Sequence, residues 1–135
     1  MYDVIIIGSG SAGLPAGMYA SRYKLKNVII GGQPGWALAT SHKVENWPWV
    51  LSAPGKEIMD NFAEHAKVSG SELLQEMVSD VQKTGTWFLI TTVSWKTLES
   101  KYMVLATWNK YRHLWVIWEE AFLGKWVSYC ATCDG

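Results

Sequence analysis

Residues 3–7 are a short apolar, β-branched run, Asp3-Val4-Ile5-Ile6-Ile7, which passes directly into Gly8-Ser9-Gly10-Ser11-Ala12-Gly13. Such a run, closed by glycine, reads as a strand buried on both faces of a parallel sheet. The loop fits G-x-G-x-x-G, and residues 12–25, rich in Ala, Leu, Met and Tyr, supply the helix that must follow it. Flanked in this way, the glycines each have a task. Gly8 permits the tight turn, Gly10 lets the backbone approach a pyrophosphate, and Gly13 lets helix and strand pack closely. The helix N-terminus adds oriented N–H donors and positive potential. Without the strand and helix around it, the same loop would read only as flexible chain.

The rest of the chain extends this start. Pro15 falls in the first helical turn, where backbone N–H groups lack intrahelical partners. Residues 27–30 form a second strand and complete a βαβ unit. The Gly, Pro, Ser and Asn content of residues 31–54 predicts a long loop, and loops of that length are usually functional. Helical spacing returns over Gly55–Ser69, with Ile58, Phe62, Ala63 and Ala66 on one side and Lys56, Glu57, Asp60 and Glu64 on the other. Candidate strands follow at 72–81, 87–93, 97–99 and 102–106, separated by turns at Lys83-Thr84-Gly85 and Ser94-Trp95-Lys96, a βββ arrangement after the βαβ unit. Residues 109–120 have no clear period and read as a linker.

The second strand ends in Ile30-Gly31-Gly32-Gln33, without the Asp or Glu that ordinarily holds a nicotinamide dinucleotide's ribose. That absence counts against a nicotinamide more than against a flavin. At the other end, Cys130-Ala131-Thr132-Cys133-Asp134 sets two thiols close enough for a small disulfide ring beside a carboxyl group. A thiolate of lowered pKa is the attacking species in such a pair, and Asp134 is placed to move protons. Two alternatives stand beside the redox reading: inert thiols, and half of a zinc site, for which only the scattered His42, His65 and His113 remain as further soft ligands. No metal is expected. The formal charge is zero and neither sign clusters, so neither nucleic acid nor an anionic membrane is expected as partner. The chain starts without a basic leader and contains no apolar stretch near the length of a membrane span, so a cytoplasmic setting is expected.

Along essentially its whole length the sequence resembles the thioredoxin reductase family. The resemblance is carried by residues 2–10 with Ala12-Gly13-Leu14, by Val44-Glu45-Asn46-Trp47-Pro48, and by the tail Val127-Ser128-Tyr129-Cys130-Ala131-Thr132-Cys133-Asp134-Gly135. It implies an α/β fold, an FAD/NAD(P)-binding three-layer ββα Rossmann-like domain, here incomplete. Residues 1–111 would be the N-terminal part of the FAD-binding domain, and 112–135 the linker and the start of an NADPH-binding domain carrying the redox motif. FAD contacts would fall on Gly8, Ser9, Gly10, Ser11, Ala12, Gly13, Gly35 and Asn46. Cys133 would face the flavin, Cys130 would exchange with the disulfide of a thioredoxin-like protein, and Asp134 would be the acid/base. The resemblance further implies a homodimeric parent that draws electrons from NADPH, and a chain of this extent that does not complete the cycle alone. A non-catalytic flavin-binding module and a related reductase with another donor or partner are the competing readings.

One composition figure is abnormal: nine tryptophans in 135 residues. Seven of them, Trp36, Trp49, Trp95, Trp108, Trp115, Trp118 and Trp126, stand where the resemblance expects glycine. Trp87 is a candidate eighth, and Trp47 alone looks native to its motif. Glycine at turns and close approaches supplies positive φ or room for a cofactor, so the largest side chain is its least suitable replacement. A single event would account for the set, namely a gene that reads UGA as glycine translated with UGA as tryptophan. A deliberate tryptophan-scanning design is the rival. Strained turns and weak or absent FAD binding are the expected consequences.

Overall fold

In a computed structural model the protein is described at residues 1–33, 35–108, 112–123 and 125–129, with the backbone alone at Trp36. The Cys130–Cys133 motif and Asp134 lie outside the described residues.

The predicted βαβ unit is present as β1 (Tyr2–Ile7), α1 (Gly13–Arg22) and β2 (Asn27–Gly31), with β1 and β2 parallel and Ile7 beside Ile30. Pro15 is the third residue of α1, where its missing N–H costs no helical bond. The helix ends at Arg22 rather than at 25, because Lys24 takes a left-handed φ of 60° and turns the chain toward β2. The long loop encloses a short helix not foreseen from the sequence, α2 (Trp36–Ala39), and leads to α3 (Gly55–Ser69), whose bounds are those expected.

The remaining strands differ from expectation in two places. The run at 72–81 divides into β3 (Glu72–Gln75) and β4 (Val78–Thr84), which lie at opposite edges of the sheet. A turn in which the Glu76 N–H donates to the Leu74 carbonyl (2.9 Å) separates them. Conversely, the segments at 97–99 and 102–106 join into one strand, β6 (Thr97–Leu105), which pairs antiparallel with β5 (Trp87–Thr92) and parallel with β1. Ser100 is the crossing point, paired with Phe88 on one side and Tyr2 on the other, and it is completely buried. Polar residues at 99–101 disguised this continuity.

Strand order is β3-β2-β1-β6-β5-β4. Successive residues of β1 point to opposite faces, and two cores result. Val4 and Ile6 pack with Leu14, Ile29, Ala63 and Ala66 beneath α1 and α3. Ile5 and Ile7 pack with Val28 and Ile30 against Ile90 and Leu98 of the antiparallel strands. The meander therefore covers the face opposite the helices, giving the three-layer ββα arrangement. Each fully buried isoleucine contributes about 1.5–3 kcal/mol relative to exposure, so the β-branched run of β1 serves both layers.

A third cluster of Val44, Ile58 and Met59, with Trp47 and Phe62 against it, ties the 41–53 loop to α3. Beyond β6, residues 112–118 have no regular structure, and Glu119 and Glu120, expected within the linker, begin the short helix α4 (Glu119–Phe122).

Candidate dinucleotide site

At β1 the strand order reverses, since β2 lies on one side and β6 on the other. In open α/β sheets, ligands bind outside the carboxyl ends of the strands at such a point. Here that position is occupied by the 8–13 loop. Gly8 has φ 118°, and a Cβ on it would stand 2.2 Å from the Ala106 carbonyl oxygen at the end of β6. A Cβ on Gly13 would come within 1.8 Å of the Gly8 oxygen, so Gly13 must lack a side chain for α1 to sit on the loop. Gly10 is different: nothing lies within 4 Å of a Cβ built there. Packing within the protein does not require glycine at 10, whereas close approach of a ligand to its backbone does.

The start of α1 is consistent with such a ligand. The helix is ten residues long, its N-cap residue Ala12 offers no side-chain hydrogen bond, and no acidic residue occupies its first turn. The Leu14 and Ala16 N–H groups donate to the Gly10 and Ala12 carbonyls (3.1 Å each) and Pro15 has none, so the donors a ligand would meet at the positive end of the helix dipole are the N–H groups of Ala12 and Gly13. These are the features a diphosphate would use.

Gly31, at the end of β2, explains the absent ribose acid in physical terms. A Cβ there would stand 2.4 Å from Ser9 Oγ and 2.6 Å from its backbone nitrogen, so no side chain fits at that point. Gln33 and Gly35 close over the loop instead. The Gly35 N–H donates to the Ser9 carbonyl (2.8 Å), and Gly35 has φ 82° with its α-carbon against Met59. A cavity of about 150 Å³ opens beside Ser9, Gly31 and Gly32 and is bounded by Lys67, Leu74 and Gln75.

The structure thus brings together Gly8, Ser9, Gly10, Ser11, Ala12, Gly13 and Gly35. Asn46 lies apart in sequence on the exposed side of the 41–53 loop. Its neighbour Trp47 anchors that loop, with its ring edge-on to Phe62 at 5.4 Å. A wider depression of about 360 Å³ is lined by Trp118, Phe122 and Trp126. All three side chains are aromatic, and among the described residues no charged group lines the depression to orient a nucleotide. Among the described residues, no three His, Cys, Asp or Glu side chains gather as a metal site, and no helix is long and apolar enough to cross a membrane.

One constellation was missed from the sequence. The buried carboxylate of Glu119 accepts the backbone N–H groups of Leu114 (3.0 Å) and Trp115 (2.8 Å) and the hydroxyl of Tyr129. His113 Nδ1 is 3.3 Å from Glu119 Oε1 and 2.9 Å from the Tyr129 hydroxyl. The Tyr129 hydrogen bond, the two amides and His113 hold the Glu119 carboxyl below its ordinary pKa despite burial, and the same carboxylate pushes Tyr129 up to about 12. Residues 113–115 are thereby fastened to the residue that directly precedes Cys130. The adjacent acids Glu119-Glu120 within an otherwise apolar segment were the available signal.

Fold and loop together define an open α/β domain of the dinucleotide-binding type. The chain belongs to the pyridine nucleotide-disulphide oxidoreductase family, which it matches over residues 2–135. Within that family it is similar to thioredoxin reductases. It is 42% identical over 137 aligned positions to the Mycolicibacterium smegmatis thioredoxin reductase, covering 100% of this chain and 44% of that one. It is 38% identical over 137 positions to the bifunctional thioredoxin reductase/thioredoxin of Mycobacterium leprae, covering 100% and 30%. The crystal structure of thioredoxin reductase from Streptococcus pyogenes superposes with a TM-score of 0.87 at 36% identity, covering 99% of this chain and 44% of that one. The chain therefore spans less than half the length of each of these relatives.

Proposed function

We propose that this chain is the flavin-binding and disulfide-bearing portion of an NADPH-dependent thioredoxin-disulfide reductase. The observation that carries the reading is the open space over Gly10, in a loop whose other two glycines are explained by packing. The N–H groups at the start of α1 would hold the pyrophosphate of FAD, and the cavity beside Ser9 and Gly31 would take its adenosine end. Gly35 would keep the loop in place through Ser9, and Asn46 would contact the flavin from the 41–53 loop. When bound, FAD supplies a two-electron carrier between a reduced nicotinamide and a disulfide.

In this reading residues 1–111 belong to the FAD-binding domain and 112–135 lead into the NADPH-binding domain. Cys130 as thiolate attacks the disulfide of a thioredoxin-like protein, forming a mixed disulfide and expelling one partner thiolate. Cys133 then attacks Cys130, which closes the Cys130–Cys133 disulfide and releases the reduced partner. Asp134 carries the protons that the departing thiolates take up. The Mycobacterium leprae relative, which joins thioredoxin reductase and thioredoxin under one description, supports thioredoxin as the partner. A homodimeric, cytoplasmic parent completes the proposal.

FAD binding, followed by quenching of flavin fluorescence on the chain and on its Trp108→Gly variant, tests it. Binding that Gly10→Val abolishes is expected, weak for the chain and tighter for the variant. Failure of both forms to bind, or binding that Gly10→Val leaves intact, contradicts the reading.

A further inference from the structure

Eight described residues have φ in the left-handed region. Four are glycines, Gly8, Gly35, Gly70 and Gly85, and of the other four three are Trp49, Trp95 and Trp115, the last being Lys24. Apart from glycine, the side chains that tolerate this region are chiefly Asn and Asp. None of the four is either. Tryptophan supplies nine of 135 residues yet most of the non-glycine residues held in this conformation.

Two of the three occupy turns whose type specifies glycine. The Val50 N–H donates to the Trp47 carbonyl (3.1 Å) across Pro48-Trp49, and Trp49 has φ 72°. Proline second and positive φ third define a type II turn, in which the third residue is ordinarily glycine. Between β5 and β6, the Trp95 N–H donates to the Thr92 carbonyl (3.0 Å), and the Thr92 N–H donates to the Lys96 carbonyl (2.9 Å). Trp95, with φ 64°, is the left-handed residue that closes a three-residue hairpin loop, the place glycine takes in a G1 bulge. The preceding hairpin solves the same problem with Gly85, φ 63°. Trp115 has φ 60° where its N–H turns in to Glu119.

Strained backbone persists where surrounding contacts over-determine it. Here the side chains do not supply such contacts. Trp49, Trp95 and Trp115 are 103%, 85% and 87% exposed; the backbone of Trp115 is held through its N–H by Glu119, and although its ring lies 5.4 Å from that of His113, a side chain so exposed gains little by packing. Trp47, which fits its motif, is half-buried against Phe62 and has no such φ. The backbone at 49, 95 and 115 is shaped for a residue without a side chain.

We infer that the functional protein carries glycine at 49, 95 and 115, and that the tryptophans there are one glycine codon, UGA, decoded as tryptophan. All three positions lie among the seven where the family resemblance independently expects glycine. The other four, Trp36, Trp108, Trp118 and Trp126, follow from the same codon although their φ values do not require glycine. The inference is separate from the flavin reading, since neither of its tests involves FAD.

The first test reads the coding DNA and the native protein. TGA at these positions, and a native tryptic peptide 44–56 that keeps Trp47 and has glycine at 49, are expected. TGG codons, or tryptophan at 49 in the native peptide, overturn the inference. The second measures unfolding of the chain and of Trp49→Gly, Trp95→Gly and Trp115→Gly. Relief of the left-handed strain, less glycine's extra chain entropy, is expected to raise the folded-to-unfolded ratio about three- to tenfold per site. Trp47→Gly, the control, lowers it. Unchanged or reduced stability in all three variants overturns the structural basis. If the chain as it stands does not fold, gain of a cooperative transition on combining the three changes supports it, and absence of one counts against it.

Discussion

Replacing Gly10 and Gly13 separately by alanine distinguishes a glycine kept for a ligand from one kept for the fold. At Gly13 the new methyl carbon would stand 1.8 Å from the Gly8 oxygen, and the clash is with backbone, so α1 must move away from β1. Overpacking of this kind costs about 3 kcal/mol, a large fraction of the roughly 5–15 kcal/mol that holds a domain folded. At Gly10 the methyl meets nothing within 4 Å and φ is not left-handed, so the flavin-free protein should change by no more than about 0.5 kcal/mol. Loss of a backbone contact to a phosphate is worth about 1.5–3 kcal/mol, or roughly 10- to 150-fold in affinity. Urea unfolding without FAD, paired with FAD titration in the glycine-restored chain, measures both quantities. The reasoning is refuted if Gly10→Ala destabilises the flavin-free protein as much as Gly13→Ala, or binds FAD as tightly as its parent.

Other consequences can be measured independently. Because its folded pKa is lowered, Glu119 stabilises the 113–129 segment fully above its ordinary value of 4.5, and this contribution is lost as pH falls through the lower folded value; Glu119→Gln should remove that acid transition from the near-ultraviolet circular dichroism. Tyr129 has the opposite sign, contributing fully below 10.0 and losing its contribution as pH rises toward about 12, so Glu119→Gln should bring one tyrosinate titration back toward 10.0 by absorbance. Trp47→Ala, which removes the ring packed on Phe62, should cost about 2 kcal/mol in a denaturant titration. Cys133→Ser should accumulate a mixed disulfide between Cys130 and an oxidised thioredoxin-like partner on non-reducing gels, whereas Cys130→Ser should not.

The βαβ unit was legible because each of its signals has a single structural meaning. The apolar run of β1 is too short for a helix and too continuous for an exposed strand, and Gly8, Gly10 and Gly13 stand at its end. α3 was equally plain, since Ile58, Ala63 and Ala66 share one face and Gly70 follows. The β3–β4 boundary was hidden because Glu76-Met77 carries no glycine or proline, and the turn there is made by a backbone hydrogen bond. β6 was divided in expectation because Glu99-Ser100-Lys101 is polar; Ser100 is buried only because two strands meet across it, a tertiary fact with no local signature. In the site, the missing acid at Gly31 could be seen, but its cause, contact with Ser9 from a loop over twenty residues away, could not. The Glu119 network likewise depends on Tyr129 returning to residues 113–115. The tryptophans were anomalous by count and by position against the family pattern; that Trp49, Trp95 and Trp115 hold left-handed φ could be seen only in the structure.

Backbone hydrogen exchange of the glycine-restored chain with and without FAD tests the site most directly. The account predicts that FAD slows exchange at residues 9–13 and at Gly35, with the segment holding Trp118, Phe122 and Trp126 unchanged. Protection confined to that aromatic segment, or none at the 9–13 loop under saturating FAD, would contradict it.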